Sequence, residues 1–290
     1  MHSVRAMIGP AELGLLDGFE RALINNRLHM VYQPKVALVD GRLQLVEALV
    51  RWEDPVFGAV APSRFVPLAE RHGLIDPLTH WGLRTTLRQW LKWREQGRDT
   101  HIAFNISALS LEHLDFPDLV ERMCRALEVP PDRLVLELTE GATQPLVKLM
   151  DTLTRFRIKG IGLALDDFGT GFSSMMQLRQ LPFTEVKIDR FFVRDMTTSN
   201  DSMLIVKATI DLAHGLGMIA TAEGVETEDQ ARLLRDLGCD VGQGYWIAQP
   251  LEPSKLDLWE KEFARRWQKA IAYSQPDKPP PKRASAKGRT

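Results

Sequence analysis

The chain has 290 residues, 44% hydrophobic and 26% charged, with a formal net charge of −1. That length suits one α/β barrel of typically about 250 residues, and the balance gives no bulk charge for gripping nucleic acid or a membrane surface. Two distant cysteines, Cys124 and Cys239, lack any Cys-x-x-Cys spacing and read as free buried thiols, while seven histidines without ligand spacing argue against a zinc hydrolase.

Residues 1–10 carry neither a long apolar core nor a small-residue cleavage site, and read as an N-terminal segment or linker remnant. No apolar run approaches the roughly 18 residues that span a bilayer. The expected location is therefore the cytoplasm. From 11 to 27, Leu15, Phe19 and Leu23 recur at helical spacing. Eight strand candidates follow: 29–37, 43–51, 101–107, 133–139, 161–167, 184–189, 218–223 and 239–245. About five residues, including Asp40-Gly41, separate the first two. A parallel connection needs a dozen or more, so this pair is expected to be an antiparallel hairpin. Between later strands, Leu146, Leu149, Met150, Leu153 and Phe156 form a helical stripe that stops at Gly160. Met203, Val206, Ile210 and Ala213 mark a helix over 200–216, before Gly217. Thr227 and Gln230 make a capping box ahead of Leu233, Leu234 and Leu237, with Gly238 as the stop. The alternation predicts an α/β fold, a (β/α)8 TIM-like barrel with an antiparallel first strand, over 11–270. Residues 271–290, rich in proline and in lysine and arginine, read as a disordered basic tail.

Barrels of this kind do their chemistry at the C-terminal ends of the strands. There the sequence places Glu47, Asn105, Glu137, Asp166-Asp167, Lys187, Glu223 and Gln243, and the reversed first strand brings Gln33 to the same end. One strand-end acid is commonly a helix cap or a rim ion pair. Seven successive strands delivering polar groups to one face is a pattern, because charge inside a barrel is costly unless paired or bound to metal. Carboxylates with an asparagine and no soft ligands suit Mg²⁺ or Mn²⁺. Adjacent Asp166 and Asp167 suit two metals sharing a carboxylate, which would clamp the attacking and leaving oxygens of a phosphoryl displacement. Lys187 adds positive charge where negative charge develops. The segment Phe168-Gly169-Thr170-Gly171-Phe172-Ser173-Ser174 lacks the third glycine of a dinucleotide fingerprint and reads as a lid or metal-supporting loop.

These residues resemble the EAL-domain phosphodiesterases of bacterial signalling. The resemblance runs from about residue 15 to 260, through Tyr32-Gln33-Pro34, Glu47-Ala48-Leu49-Val50-Arg51-Trp52, Asn105-Ile106-Ser107 and Glu137-Leu138-Thr139-Glu140. It continues through Asp166-Asp167-Phe168-Gly169-Thr170-Gly171, Lys187-Ile188-Asp189, Glu223-Gly224-Val225-Glu226 and Gln243-Gly244-Tyr245. It implies hydrolysis of cyclic di-GMP to linear pGpG. Carried over by motif, Glu47, Asn105, Glu137 and Asp166 hold one metal; Asp166, Asp167 and Glu223 hold a second, supported by Gln243. Lys187 orients the hydrolytic water, forming the catalytic set with Glu47 and Glu223. Gln33, Arg51 and Asp167 contact substrate, and Glu140, Gly169 and Gly171 support the glycine loop. Phe172 departs from the tyrosine common at that place, which touches loop support but no metal ligand. The resemblance also implies a homodimer and allows an upstream sensor or cyclase domain. The rival reading is a catalytically silent cyclic di-GMP receptor. Such domains typically lose ligands that are all present here. A different metal phosphoesterase on the same barrel is a second rival, since residue pattern alone does not fix the substrate. No nucleic-acid or membrane partner is expected.

Overall fold

The computed structural model describes residues 9–25, 27–139, 146–169 and 175–272. Helix α1 (Pro10–Ile24) leads into β1 (Leu28–Ala37), β2 (Leu43–Asp54), β3 (Gly58–Val60), α2 (Pro62–Arg71) and α3 (Ile75–Glu95). Strands and helices then alternate: β4 (His101–Ile106), α4 (Phe116–Ala126), β5 (Leu134–Thr139), α5 (Leu146–Ile158), β6 (Gly162–Phe168), α6 (Met175–Gln180) and β7 (Glu185–Ile188). The described chain ends with α7 (Arg190–Asp195), α8 (Asn200–Gly215), β8 (Ile219–Ala222), α9 (Glu228–Asp236), β9 (Val241–Gly242) and α10 (Leu256–Ala272). The N-terminal segment before Gly9 and the expected tail beyond Ala272 lie outside the described residues. None of the described helices is long and apolar enough to cross a membrane.

Eight strands close a barrel in the order β1-β9-β8-β7-β6-β5-β4-β2, with β2 pairing back onto β1 and β3 added as a hairpin on β2. The strand β1 runs antiparallel to both neighbours, and β2 through β9 of the barrel run parallel. The short connection around Asp40-Gly41 therefore forces the reversal expected from its length. The Thr227–Gln230 capping box is formed, and Cys124 and Cys239 are free and buried.

Two expectations need correction. The last strand is only Val241–Gly242, not 239–245. After it the chain turns onto the loop following β8: Val225 N donates to Gln243 O at 2.9 Å and Trp246 N to Val225 O at 2.9 Å. A Cβ at Gly244 would stand 2.1 Å from Val225 N, so only glycine lets these two backbones meet. The first helix stops at Ile24, short of 27, where Arg27 N closes onto Ala22 O at 3.0 Å. The hairpin strand β3 gave no sequence signal, having only three residues.

The large apolar core lies outside the barrel, between strands and helices. It includes Leu136, Leu138, Phe156, Leu163, Val186, Ile188 and Ile210. The barrel interior has a much smaller apolar cluster of Leu45, Ala103 and Val241, with Val135 against it. Each of these lies two residues before a polar residue singled out above, hence on the same face of its strand. The barrel is thus apolar at its floor and polar toward its C-terminal mouth.

Candidate active site

Register aligns the polar groups. Gln33 pairs with Glu47 across β1 and β2, and Asn105 with Glu137 across β4 and β5. Glu47, 6% exposed, has both oxygens engaged: Oε1 accepts from Asn105 Nδ2 at 2.6 Å and Oε2 from Gln243 Nε2 at 2.6 Å. Gln243 Nε2 also donates to Gln33 Oε1 at 3.0 Å, and Gln33 Nε2 to Ala248 O at 3.0 Å. Groups from β1, β2, β4 and the turn after β9 thus lock one carboxylate in a single orientation.

A second network centres on Lys187, 1% exposed. Its Nζ lies 2.6 Å from Glu137 Oε2, 3.0 Å from Asp166 Oδ1 and 2.6 Å from Glu223 Oε1. Glu137 is also paired through Oε1 with the fully buried Lys35. That lysine was missed in the sequence, as was Glu185, whose Oε1 accepts from Thr221 Oγ1 at 2.6 Å. The signal was available: Lys35 lies two residues from Gln33, and Glu185 two from Lys187, so alternation sends each inward beside its neighbour.

Alternation alone would send Asp166 and Asp167 to opposite faces. The β6–β7 register shifts between Leu165 and Phe168, and Asp167 takes the left-handed φ of 56°. This irregularity re-aims the backbone, with Asp167 N donating to Asp166 Oδ1 at 2.9 Å. Carboxylate oxygens of Asp166, Asp167 and Glu223 consequently lie within 4.8 Å of one another. An all-oxygen donor set this compact fits a hard divalent cation. Among the other predicted ligands, Glu137 is linked to Asp166 and Glu223 through Lys187, Glu47 lines the same cavity as those two acids, and Asn105 is bonded to Glu47.

The charges strain against one another. Burial pushes Glu223 and Glu137 up to about 7 even against the pull of Lys187. Burial and the charge of Asp166 raise Asp167 to about 6. Burial also opposes ionisation of Glu47, but Lys187, Lys35 and the Gln243 and Asn105 amides outweigh it and bring the group down to about 2. Burial disfavours the Lys187 ammonium, yet its carboxylates hold its pKa well above the usual lysine value. Lys187 is therefore a fixed cation.

Gln33, Glu47, Asp166, Lys187, Glu223 and Gln243 line a cavity of about 330 Å³, whose wall also includes Arg190, Glu226 and Tyr245. The predicted contact Arg51 lines a second cavity of about 360 Å³ with Asn105 and apolar groups such as Leu49, Pro62, Val66 and Leu78. Its Nη1 donates to Val50 O at 2.9 Å. Burial lowers its pKa, while Tyr245 and Glu47 oppose that shift. Gly169 has a φ of 97°, whereas Glu140, Gly171 and Phe172 lie outside the described residues.

A family model described as EAL domain matches residues 17–250. The chain is 41% identical over 232 residues to a Pseudomonas aeruginosa protein named cyclic di-GMP phosphodiesterase PA2567, covering 80% of this chain and 40% of that protein. It is 38% identical over 247 residues to the bifunctional diguanylate cyclase/cyclic di-GMP phosphodiesterase MucR of the same organism, covering 84% of this chain and 36% of MucR. Among solved structures, the PaMucR phosphodiesterase in its c-di-GMP complex superposes with a TM-score of 0.80 at 38% identity, covering 84% of this chain and 99% of that one. The chain therefore spans less than half the length of these two curated relatives.

Proposed function

The chain belongs to the EAL domain family, and from that premise we propose that it is a cyclic di-GMP phosphodiesterase producing linear pGpG. The observation that carries the proposal is the convergence of Asp166, Asp167 and Glu223 beside Lys187 at the mouth of the barrel. In this reading Asp166, Asp167 and Glu223, with Glu47, Asn105 and Glu137, would hold Mg²⁺ or Mn²⁺, two per site. Bound there, the cations supply Lewis-acid polarisation of a phosphoryl oxygen and an activated water.

The chain's own residues do the rest. Lys187 and Lys35 keep Glu47 ionised, and Asn105 and Gln243 fix its orientation ahead of substrate. Lys35 holds Glu137 through Oε1, so Glu137 would stay oriented if Oε2 served a cation, and one Lys187 N–H would then be free for water. Lys187, permanently an ammonium, orients the water by donating to its oxygen and stabilises charge growing on the phosphoryl oxygens. The water oxygen bonds to phosphorus as the P–O3′ bond breaks. One water proton ends on the departing 3′-oxygen, and the product carries a 5′-phosphate. Gln33, Arg51 and Asp167 contact substrate in this reading. The exposed Tyr245 ring offers a face to one guanine, and the apolar cavity beside Arg51 suits the other. The family resemblance adds a cytoplasmic homodimer to the reading, and the greater length of the relatives supports further sensor or cyclase modules.

The test is chromatography of cyclic di-GMP incubated with the protein in Mg²⁺, in Mn²⁺ and in chelator, beside a generic phosphodiester. Metal-dependent appearance of pGpG is expected. Binding without product would favour the receptor reading, and preferential cleavage of the generic ester would overturn the substrate assignment.

A further inference from the structure

The catalytic cavity has more acid than free cation. Glu47, Asp166, Glu223 and Glu226 line it, against Lys187 and Arg190. Lys187 is already engaged by three carboxylates. Arg190 differs: among the described residues it makes no ion pair and no side-chain hydrogen bond, and it is exposed on the cavity wall. Its position is nonetheless built. As the first residue of α7 it follows Asp189, whose side chain accepts from Phe191 N and so fixes the turn out of β7. Its stem packs on Gly224, which directly follows Glu223. A Cβ at Gly224 would stand 2.5 Å from Arg190 Cβ and 3.2 Å from Arg190 Cα, and Gly224 has a φ of +65°. Glycine there admits the arginine stem beside the acidic cluster.

Resting on the proposed cyclic dinucleotide substrate, we infer that Arg190 is a substrate-binding residue that clamps a phosphodiester oxygen not held by the acidic cluster. A cyclic dinucleotide carries two phosphodiesters, and the acids and their cations account for one. Guanidinium is suited to the other, because its planar fork matches phosphate oxygens and never loses its charge. Arg51 lines the neighbouring apolar cavity rather than this one, and its Nη1 already donates to Val50 O, although Glu47 and Tyr245 lie close to both arginines. The inference makes Arg190 a determinant of preference for substrates with two phosphates.

The test compares wild type, Arg190→Ala and Arg190→Lys in two assays, with melting temperatures recorded to confirm folding. The first is steady-state hydrolysis of cyclic di-GMP. The second is equilibrium binding of a hydrolysis-resistant phosphorothioate analogue of it. Losing a charge-assisted contact is expected to raise KM and weaken analogue binding about tenfold or more, with kcat changed less than about threefold. Lys is expected to recover part of the loss, and added salt to narrow the gap between wild type and Ala. KM and binding unchanged in Arg190→Ala would mark a solvated rim arginine and overturn the inference. A fall in kcat without a change in KM would place Arg190 at the reacting phosphate and overturn it equally. If wild type turns over nothing, the enzymatic reading fails by itself, and analogue binding alone decides the clamp.

Discussion

The two faces of the barrel wall are built on opposite principles. In β5, Leu134, Leu136 and Leu138 point outward into the helix layer, at most 1% exposed, while Val135, Glu137 and Thr139 point inward. In β7, Val186 and Ile188 join the same outer core, while Glu185 and Lys187 enter the barrel. The outer face supplies stability through apolar burial. The inner face spends some of it, collecting charges that only one another, or a cation, can satisfy. Alternation along a strand lets four or six residues serve both ends without compromise.

Substitutions on each face should separate stability from turnover. The largest effect is expected outside. Phe156→Ala, in a fully buried site on α5, is expected to cost about 3–5 kcal/mol in chemical denaturation, while protein that remains folded keeps its kcat. Next comes Glu223→Gln, expected to lower kcat roughly 100- to 1,000-fold in the product assay. Its stability in chelator should match or exceed wild type, because one charge of a repelling trio is gone. Loss of stability there comparable to Phe156→Ala would erase the distinction between the faces. Lys35→Met tests the boundary between them. Removing a buried partner of Glu137 is expected to cost about 3 kcal/mol, and adding Glu137→Gln should return much of it in a double-mutant cycle. Smallest is Gln243→Ala, which frees Glu47 Oε2 and is expected to reduce kcat about 10- to 100-fold with little change in denaturation midpoint.

The outer face was largely legible from sequence, because apolar periodicity reports it directly. The helices carrying Phe156, Ile210 and Leu234 and seven of the eight barrel strands stand close to their expected places. The eighth strand was drawn too long because Gln243-Gly244-Tyr245 continues an extended pattern, and the close approach to Val225 is invisible in a linear reading. On the inner face, acids embedded in apolar runs announced themselves, as Glu47 and Glu137 did. Lys35 did not, because a lysine next to proline reads as an ordinary strand-edge residue. Glu185 was hidden by its place at the start of a short strand. The irregularity that turns Asp166 and Asp167 toward one place is a backbone event with no residue code of its own.

The proposed seat for divalent cations among the inward carboxylates can be read from ion binding alone. Titration of Mn²⁺ into wild type and Glu223→Gln, followed by electron paramagnetic resonance of the free ion, addresses it most directly. Saturable uptake is expected for wild type, with an affinity weakened by more than about tenfold in the variant. Equal uptake by both, or none by a wild type that still releases pGpG, would contradict it.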